Sequence, residues 1–253
     1  MYIFFRYITK WLEEEFKINR VELKELSKSQ LKGHWTIPVL LTLLYVVLST
    51  VLSLFQDETS SLPTVIITFI LVFGLGVWAT VGLPNFYLMF IEKIGNASFS
   101  DVLVSMNKLV KSLIFTIIIS VVVFISTFIV MFVVGGATVS FVFTDITWSL
   151  GAILGILIVC LFIIALTIFD LALALTPYII IEHEHLNTFE AMSLSIKMMK
   201  GNKWKYFVIQ LSFIGWAILS IFTLGIGYLW LIPYISLTQA NFYRDLSFNS
   251  INN

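Results

Sequence analysis

Apolar residues fill six long stretches of the chain, separated by short polar connections. A helix needs about 20 mostly apolar residues to cross a bilayer. The stretches cover 35–55, 63–91, 113–134, 148–181, 204–224 and 226–242. The second and fourth exceed one straight crossing, so we expect them to tilt or bend. The pattern predicts an all-α polytopic membrane protein with six transmembrane helices arranged as three hairpins.

The basic residues lie on one side of this predicted arrangement. All fifteen Lys and Arg precede the first span or fall in the second connection, the fourth connection and the tail. The first, third and fifth connections contain none and carry Asp57, Glu58 and Asp145. Positive residues stay on the cytoplasmic side during insertion. The alternation therefore predicts a multi-pass protein with both termini in the cytoplasm.

Composition supports lipid as the solvent for much of the surface. The chain is 59% hydrophobic and 12% charged, with a mean hydropathy of +0.98. Soluble domains carry about 25% charged residues. The formal net charge is zero, so no bulk field favours nucleic acid. The single cysteine, Cys160, cannot form an internal disulfide.

The start of the chain carries an amphipathic pattern of its own. Phe5, Ile8, Trp11, Leu12 and Phe16 recur at helical spacing, without the compact apolar run of a cleavable signal peptide. We expect residues 1–18 to form a helix on the membrane surface, with a flexible tail as the alternative. Residues 19–253 then form a single membrane domain.

Three cytoplasmic segments share a pattern that predicts an internal repeat. Residues 19–33, 98–112 and 187–201 each begin with a capping residue, an acid at +3, a lysine at +13 and a small residue at +14. The positions are Asn19, Glu22, Lys32 and Gly33; Ser98, Asp101, Lys111 and Ser112; and Asn187, Glu190, Lys200 and Gly201. The first two positions resemble a capping box, and the last two suit a helix end. The predicted units are about 19–97, 98–186 and 187–246. The alternative is that membrane surfaces select similar linkers independently.

The predicted cytoplasmic helices are amphipathic. One apolar face is formed by Phe99, Val102, Leu103, Met106, Leu109 and Val110, and another by Phe189, Met192, Ile196 and Met199. Such a face can lie in the membrane interface or pack against the bundle.

One proline falls in each returning helix of the repeat. Pro84, Pro177 and Pro233 each remove a backbone hydrogen bond, so we expect a kink at all three. Three kinked helices around a pseudo-threefold axis could enclose a cavity.

Asp170 is the one ionisable residue deep inside a predicted span. Counting about 1.5 Å per residue places it roughly 16 Å from the cytoplasmic end, on the same face as Pro177. Intramembrane acids usually face an interior or a hydrated cavity. We predict Asp170, Asn85 and Gln210 as substrate-binding candidates. The alternatives are a neutral acid bonded to a neighbouring helix and ordinary interhelical hydrogen bonds.

The sequence offers no catalytic or metal-binding constellation. Glu182-His183-Glu184-His185 has its histidines at i and i+2 with no third ligand set, which favours a solvated loop. A nucleophile elbow, a phosphate loop and a dinucleotide fingerprint are all missing. We therefore expect no enzymatic activity, no metal and no cofactor.

Several of these stretches resemble a known family. They are Asn19–Leu26, Leu31–Trp35, Met199–Lys205, Leu211–Trp216, Thr223–Gly227 and Ile232–Tyr234. They are similar to the bacterial integral membrane family called domain of unknown function 975, over about Asn19 to Leu246. The resemblance implies a bacterial cytoplasmic-membrane protein with several spans. It implies no activity and no functional residues.

The functional expectation is a non-enzymatic membrane protein that binds or translocates a lipid-like or amphipathic small molecule. The alternative is a structural or accessory protein that docks a partner on its cytoplasmic amphipathic helices. Expected partners are membrane lipids, such a ligand, and a protein partner or a second copy of the chain. Gly151 and Gly155 match the small-xxx-small packing pattern, for contacts within the monomer or between copies.

Overall fold

The structure, a computed structural model, describes residues 20–55, 61–143 and 150–251. All regular secondary structure in these ranges is helical. The elements are α1 (Arg20–Leu31), α2 (Thr36–Ser53), α3 (Leu62–Glu92), the 3₁₀ turn η1 (Phe99–Val102), α4 (Met106–Phe143), α5 (Leu150–Leu173), α6 (Thr176–Glu182), α7 (Thr188–Met198), α8 (Lys203–Leu211), α9 (Ile214–Phe222) and α10 (Tyr228–Ile251). The predicted helix within residues 1–18 and the capping residue Asn19 lie outside the described residues.

Five stretches of the described chain are long and apolar enough to cross a membrane. They are Thr36–Ser53, Leu62–Glu92, Met106–Gly135, Gly155–Glu182 and Lys203–Phe222. They correspond to the first five spans that the sequence predicted. The sixth predicted span, 226–242, belongs to α10, which is not among the five. The reason is that α10 becomes polar after Pro233, with Asn241, Arg244 and Asp245 in its second half.

The three prolines act differently. Pro177 stands in the first turn of α6, and the fourth apolar stretch is interrupted between Leu173 and Thr176, as the sequence predicted for this position. Pro84 and Pro233 lie inside α3 and α10, which continue past them as single helices. The fifth apolar stretch is also interrupted, at Ser212 and Phe213, where the sequence carries no proline.

Most buried side chains lie at one end of the molecule, which we call the base. The base consists of α1, residues 84–92 of α3, η1, α6, α7, α8 and residues 234–246 of α10. Its largest fully buried side chains are Leu23, Leu31, Phe86, Tyr87, Leu88, Phe90, Leu175, Ile179, Ile180, Met199, Phe242 and Tyr243. Tyr178 stacks on Tyr243, with ring centroids 5.2 Å apart. Aromatic packing therefore fills the base where the ends of the three predicted returning helices meet.

The capping boxes that the sequence predicted are confirmed in the two segments where the structure describes them. Reciprocal capping boxes join Ser98 to Asp101 and Asn187 to Glu190. Gly33 and Gly201 end α1 and α7 with φ of 85° and 83°, in the left-handed region that favours glycine. The predicted stop at Ser112 is wrong, because α4 runs without interruption from Met106 to Phe143. The second segment is thus a 3₁₀ turn followed by a long helix.

The predicted apolar faces pack against the bundle only in part, since Met199 and Val102 are buried and Met192 and Leu109 pack against the core. The buried side of α7 is formed by the small residues Thr188, Ala191 and Ser195. Phe189 and Ile196 point outward and are 67% and 45% exposed. In the second segment, Leu103 and Met106 are also exposed. The base therefore leaves some apolar side chains of the second and third predicted cytoplasmic segments on its surface.

Candidate functional site

A groove between α4 and α5 contains Asp170. Its walls are residues 119–134 of α4 and residues 166–170 of α5, and its volume is about 710 Å³. The groove is open along the side of the molecule rather than enclosed. Asp170 itself is exposed in it. The structure thus places this acid in a lateral groove instead of a central cavity.

The polar groups of the groove are mostly occupied within their own helices. Ser126 and Thr127 donate to the carbonyls of the residues four positions earlier in α4, at 2.6 and 2.9 Å. Thr167 does the same in α5, at 2.9 Å. Asp170 makes no hydrogen bond or ion pair with any residue that the structure describes. Its carboxyl is therefore the lining group that remains available to a ligand.

Asp170 lies close to the base along α5. Two residues further along α5, the Ala172 carbonyl accepts a hydrogen bond from Ser195 of α7 at 2.8 Å. Two residues of helix span about 3 Å. The estimate of roughly 16 Å assumed that the fourth span continues to Ile181. In the structure the helix breaks after Leu173 and α6 belongs to the base, and the depth of Asp170 in the membrane stays a prediction.

Tyr206 and Gln210 belong to the same neighbourhood. Tyr206 of α8 is buried, with its ring centroid 5.1 Å from that of Phe242. Its side chain interacts electrostatically with Asp170 and contacts Gln210, one turn further along α8. Tyr206 therefore contacts Gln210 and lies within electrostatic range of Asp170.

Asn85 has a different role. Its side-chain amide donates a 2.7 Å hydrogen bond to the Asp101 carbonyl in η1. Asp101 in turn accepts from the Ser98 backbone and from Lys93, at 2.8 and 3.1 Å. The Ser98 hydrogen bond, followed by that of Lys93, holds the pKa of Asp101 below its usual value. Asn85 therefore fixes η1 onto α3, which is the interhelical role considered as its alternative.

The histidine-rich loop is occupied by ion pairing. Lys108 lies 2.8 Å from the Glu184 carboxylate, and this hydrogen bond lowers the pKa of Glu184. The rings of His183 and His185 are 5.8 Å apart, edge to face. Within the described ranges, no group of three His, Cys, Asp or Glu side chains is arranged to hold a metal ion.

Comparison with known families gives one match. Residues 18–250 match the family described as "Protein of unknown function (DUF975)". The chain belongs to this family. The matched range includes the α4–α5 groove and nearly all of α10. No curated protein and no solved structure matches the chain.

In this DUF975 protein, one arginine joins the ends of the three returning helices. Arg244 of α10 pairs with Glu92 at the end of α3 and with Glu182 at the end of α6. The Tyr243 hydroxyl donates to the second Glu182 oxygen at 2.7 Å. Burial, reinforced by the Glu182 charge, raises the pKa of Tyr243. Sequence analysis missed this cluster, although an acid at the end of two returning helices and a lone basic residue near the end of the third were visible signals.

A second set of contacts joins each predicted cytoplasmic segment to a predicted returning helix. Asn85 of α3 bonds η1, as described above. Tyr234 of α10 donates to the Lys24 carbonyl of α1 at 3.2 Å. Ser195 of α7 bonds Ala172 and Leu175 on the two sides of the α5–α6 break. Each cytoplasmic segment of the DUF975 chain therefore contacts the returning helix of one predicted unit.

Proposed function

We propose that this protein is a multi-pass protein of a bacterial cytoplasmic membrane that binds or translocates a lipid-like or amphipathic small molecule, without catalysing a reaction. The observation that carries the proposal is the α4–α5 groove with the available carboxyl of Asp170 at its base end. Both termini face the cytoplasm in this proposal, because every Lys and Arg lies on that side of the predicted arrangement.

The groove suits an amphipathic cation. Its volume of about 710 Å³ is within the range of small-molecule sites, roughly 300–1,000 Å³. The Val, Ile, Leu, Met and Phe side chains along its walls would contact an apolar tail. The Asp170 carboxylate would attract a positively charged head. Because the groove is open along its side, such a molecule can enter from the membrane.

The test measures binding of a hydrophobic cation. Radiolabelled tetraphenylphosphonium is titrated onto the protein in nanodiscs, and the parent is compared with Asp170→Asn. A nearby unit charge in an open, largely hydrated groove contributes about 1–1.5 kcal/mol, so we expect roughly tenfold weaker binding for the variant. Glu184→Gln, which removes a carboxylate from the cytoplasmic loop, is the control and should bind like the parent. Equal binding by Asp170→Asn and the parent would refute the proposal.

The proposal includes a threefold repeat within a single membrane domain of residues 19–253, preceded by an amphipathic extension at 1–18. The units, about 19–97, 98–186 and 187–246, would surround a pseudo-threefold axis. Its support is a closed pattern of contacts, in which η1 of the second unit meets α3 of the first. In the same pattern α7 of the third meets α5 and α6 of the second, and α1 of the first meets α10 of the third.

The filled base and its exposed apolar side chains favour a second candidate, an accessory protein that docks a partner. Phe189 and Ile196 on α7, with Leu103 and Met106 beside η1, would form the docking surface for a protein or for a second copy of the chain. The test is quantitative cross-linking in cells with a Phe189→Asp, Ile196→Asp variant. A partner that is cross-linked by the parent and lost with the variant supports docking. An unchanged cross-linking pattern argues against it.

A further inference from the structure

The fifth apolar stretch breaks at Ser212 and Phe213, and the part of the C-terminal hairpin beyond this break is too short to cross a bilayer. Its outgoing arm is α9, Ile214–Phe222, with nine residues. At about 1.5 Å per residue it is roughly 14 Å long, whereas the hydrocarbon layer is about 30 Å thick. The turn at 223–227 follows at once, and α10 returns from Tyr228.

Both arms of this hairpin contact Lys24 of α1, the outgoing arm just before α9 and the returning arm at Tyr234. On the outgoing arm, the Lys24 ammonium donates to the Ser212 hydroxyl at 3.0 Å and lies 4.6 Å from the centre of the Phe213 ring. On the returning arm, the Tyr234 hydroxyl donates to the Lys24 carbonyl at 3.2 Å. Lys24 belongs to a basic cytoplasmic segment. The tip therefore lies no more than about 15 Å beyond a charged cytoplasmic level, which is half of the hydrocarbon thickness.

The tip has the surface of a segment in hydrocarbon. Phe222, Leu224 and Ile226 are 80%, 94% and 58% exposed. The sequence contains no charged residue between Lys205 and Arg244. The first predicted external connection, in contrast, carries Asp57 and Glu58. A turn that emerged into external water would gain nothing from three exposed large apolar side chains.

The backbone of the tip is also satisfied internally, which an irregular segment needs inside a bilayer. Every backbone N–H from residue 223 to residue 231 donates to an acceptor within the hairpin. The Thr223 hydroxyl oxygen accepts from the Gly227 N–H at 2.9 Å, and that hydroxyl donates to the Ser220 carbonyl at 2.8 Å. The tight turn depends on Gly225, with φ of 87°. The hairpin therefore exposes almost no unpaired donor to lipid.

The hairpin forms a pocket of about 390 Å³ with α1 and the start of α2. Its walls are largely aromatic and apolar and include Trp35, Trp216, Leu219 and Trp230. Lys28 of α1 lies at its edge, and among the described residues its ammonium has no hydrogen-bond or carboxylate partner. Tryptophan favours the membrane interface, where lysine attracts anionic headgroups. The pocket thus combines an apolar wall with a positive charge at the cytoplasmic level.

We propose that the C-terminal hairpin is re-entrant in the cytoplasmic leaflet, and that its pocket holds one anionic phospholipid with the phosphate at Lys28 and the acyl chains along Trp216, Leu219 and Trp230. The chain then crosses the bilayer four times, through α2, α3, α4 and α5. The lipid site is separate from the Asp170 groove and does not depend on the function proposed for that groove.

The first experiment measures the depth of the tip. In a Cys160→Ser background, single cysteines replace Thr223, Ser61 and Lys200, and intact cells and inverted vesicles are treated with a membrane-impermeant maleimide. Ser61→Cys is the external control and Lys200→Cys the cytoplasmic control. We expect Thr223→Cys to react from neither side at the rate of the matching control. Labelling from outside as fast as Ser61→Cys overturns the re-entrant hairpin, and labelling from inside as fast as Lys200→Cys overturns its burial in the leaflet.

The second experiment measures the lipid. The protein is equilibrated with mixed phosphatidylglycerol and phosphatidylcholine, and the lipid retained after detergent exchange is counted by native mass spectrometry. A lysine near an anionic surface contributes about 1 kcal/mol, so Lys28→Gln should lower phosphatidylglycerol retention about fivefold. Lys32→Gln, at the end of the same helix, should retain it like the parent. Equal retention by Lys28→Gln and the parent, or no preference of the parent for phosphatidylglycerol, overturns the lipid site.

Discussion

At the scale of single residues, small polar side chains form hydrogen bonds with backbone groups that a helix break leaves without a helical partner. The α5–α6 break separates backbone groups that a continuous helix would pair. The buried Ser195 hydroxyl donates to the Ala172 carbonyl at 2.8 Å and accepts from the Leu175 N–H at 3.3 Å. Ser27, the residue of α1 at the same place in the predicted repeat, is equally buried and accepts from Asn241 at 2.9 Å. Each serine joins its cytoplasmic helix to a returning helix.

Ser195→Ala should destabilise the protein strongly for so small a change. It leaves a buried carbonyl and a buried N–H without a partner, at about 1–3 kcal/mol each, so we expect a loss of about 2–4 kcal/mol. The measurement is the thermal unfolding midpoint in detergent. Ser193→Ala, on the exposed side of the same helix, is the matched control and should leave the midpoint unchanged. Similar midpoints for the two variants would contradict the role of Ser195.

Asp101 should make stability depend on pH in the acid range. Its pKa is lowered in the folded state, first by the Ser98 backbone hydrogen bond. Its stabilisation is therefore complete above the unfolded pKa, near 3.9, and is lost as the pH falls through the folded value. Asp101→Asn cannot titrate and should be less stable by roughly 1 kcal/mol at neutral pH. In parallel melts from pH 7 to pH 3, the difference from the parent should shrink below about pH 4; a constant difference would contradict it.

At this scale, the sequence predicts which residues are unusual but not their depth or their partners. The composition of the fourth span identified Asp170 as the unusual residue, and the structure leaves its carboxyl available in a groove. Its depth could not be derived, because that depended on where α5 ends. The partners of Asn85 and Ser195 were also out of reach, since they lie 16 and 20 or more positions away and are brought close only by tertiary packing.

At the scale of elements, the predicted returning helices end at one cluster of ion pairs, formed by Arg244 with Glu92 and Glu182, which we call the joint. Arg244 is partly exposed, yet it contacts Glu92 and Glu182 at the same time. The joint connects α3, α6 and α10, one helix from each predicted unit. Because a guanidinium has donors in two directions, one residue can bind both carboxylates, which lysine does less well.

Arg244→Gln should loosen this joint. The variant loses two ion pairs and leaves Glu182 with only Tyr243, and partial exposure reduces the effect to about 1–2 kcal/mol. The measurement is the thermal midpoint, compared with Lys108→Gln, which removes the pair with the more exposed Glu184. We expect the larger shift for Arg244→Gln. A shift no larger than that of the control would show that the joint adds nothing beyond an ordinary surface pair.

Helix ends were predictable where local chemistry decides them, and not elsewhere. The capping boxes and the stops at Gly33 and Gly201 follow from side chains within four residues. The stop expected at Ser112 had no glycine, and the structure uses that residue differently: the buried Ser112 hydroxyl donates to the Val77 carbonyl of α3 at 2.9 Å. A long-range contact thus replaced the local signal.

At the scale of the whole molecule, packing divides the chain into a dense base and more open apolar helices. The prolines lie at this boundary, since the residues after Pro84, Pro177 and Pro233 belong to the base. The sequence predicted the returning prolines but expected a cavity around them. Beside two of these prolines, the aromatic residues Phe86, Tyr87 and Tyr178 are buried in the base.

The charge distribution makes a prediction that holds for four crossings as well as six. Either number is even, so both place the two termini and all basic connections on one side. The two topologies differ only in the turn that contains Thr223, which is external with six crossings and lies within the leaflet with four.

In the Cys160→Ser background, cysteines at Thr59 and Thr144 should react with an impermeant maleimide in intact cells, because they lie in connections without Lys or Arg. Cysteines at Lys197 and Lys200 should react only in inverted vesicles or after permeabilisation. Both are exposed, so failure to react cannot be attributed to burial. Reaction of either lysine position from outside would mean that the basic residues do not set the orientation, and with it the cytoplasmic placement of the base would fail.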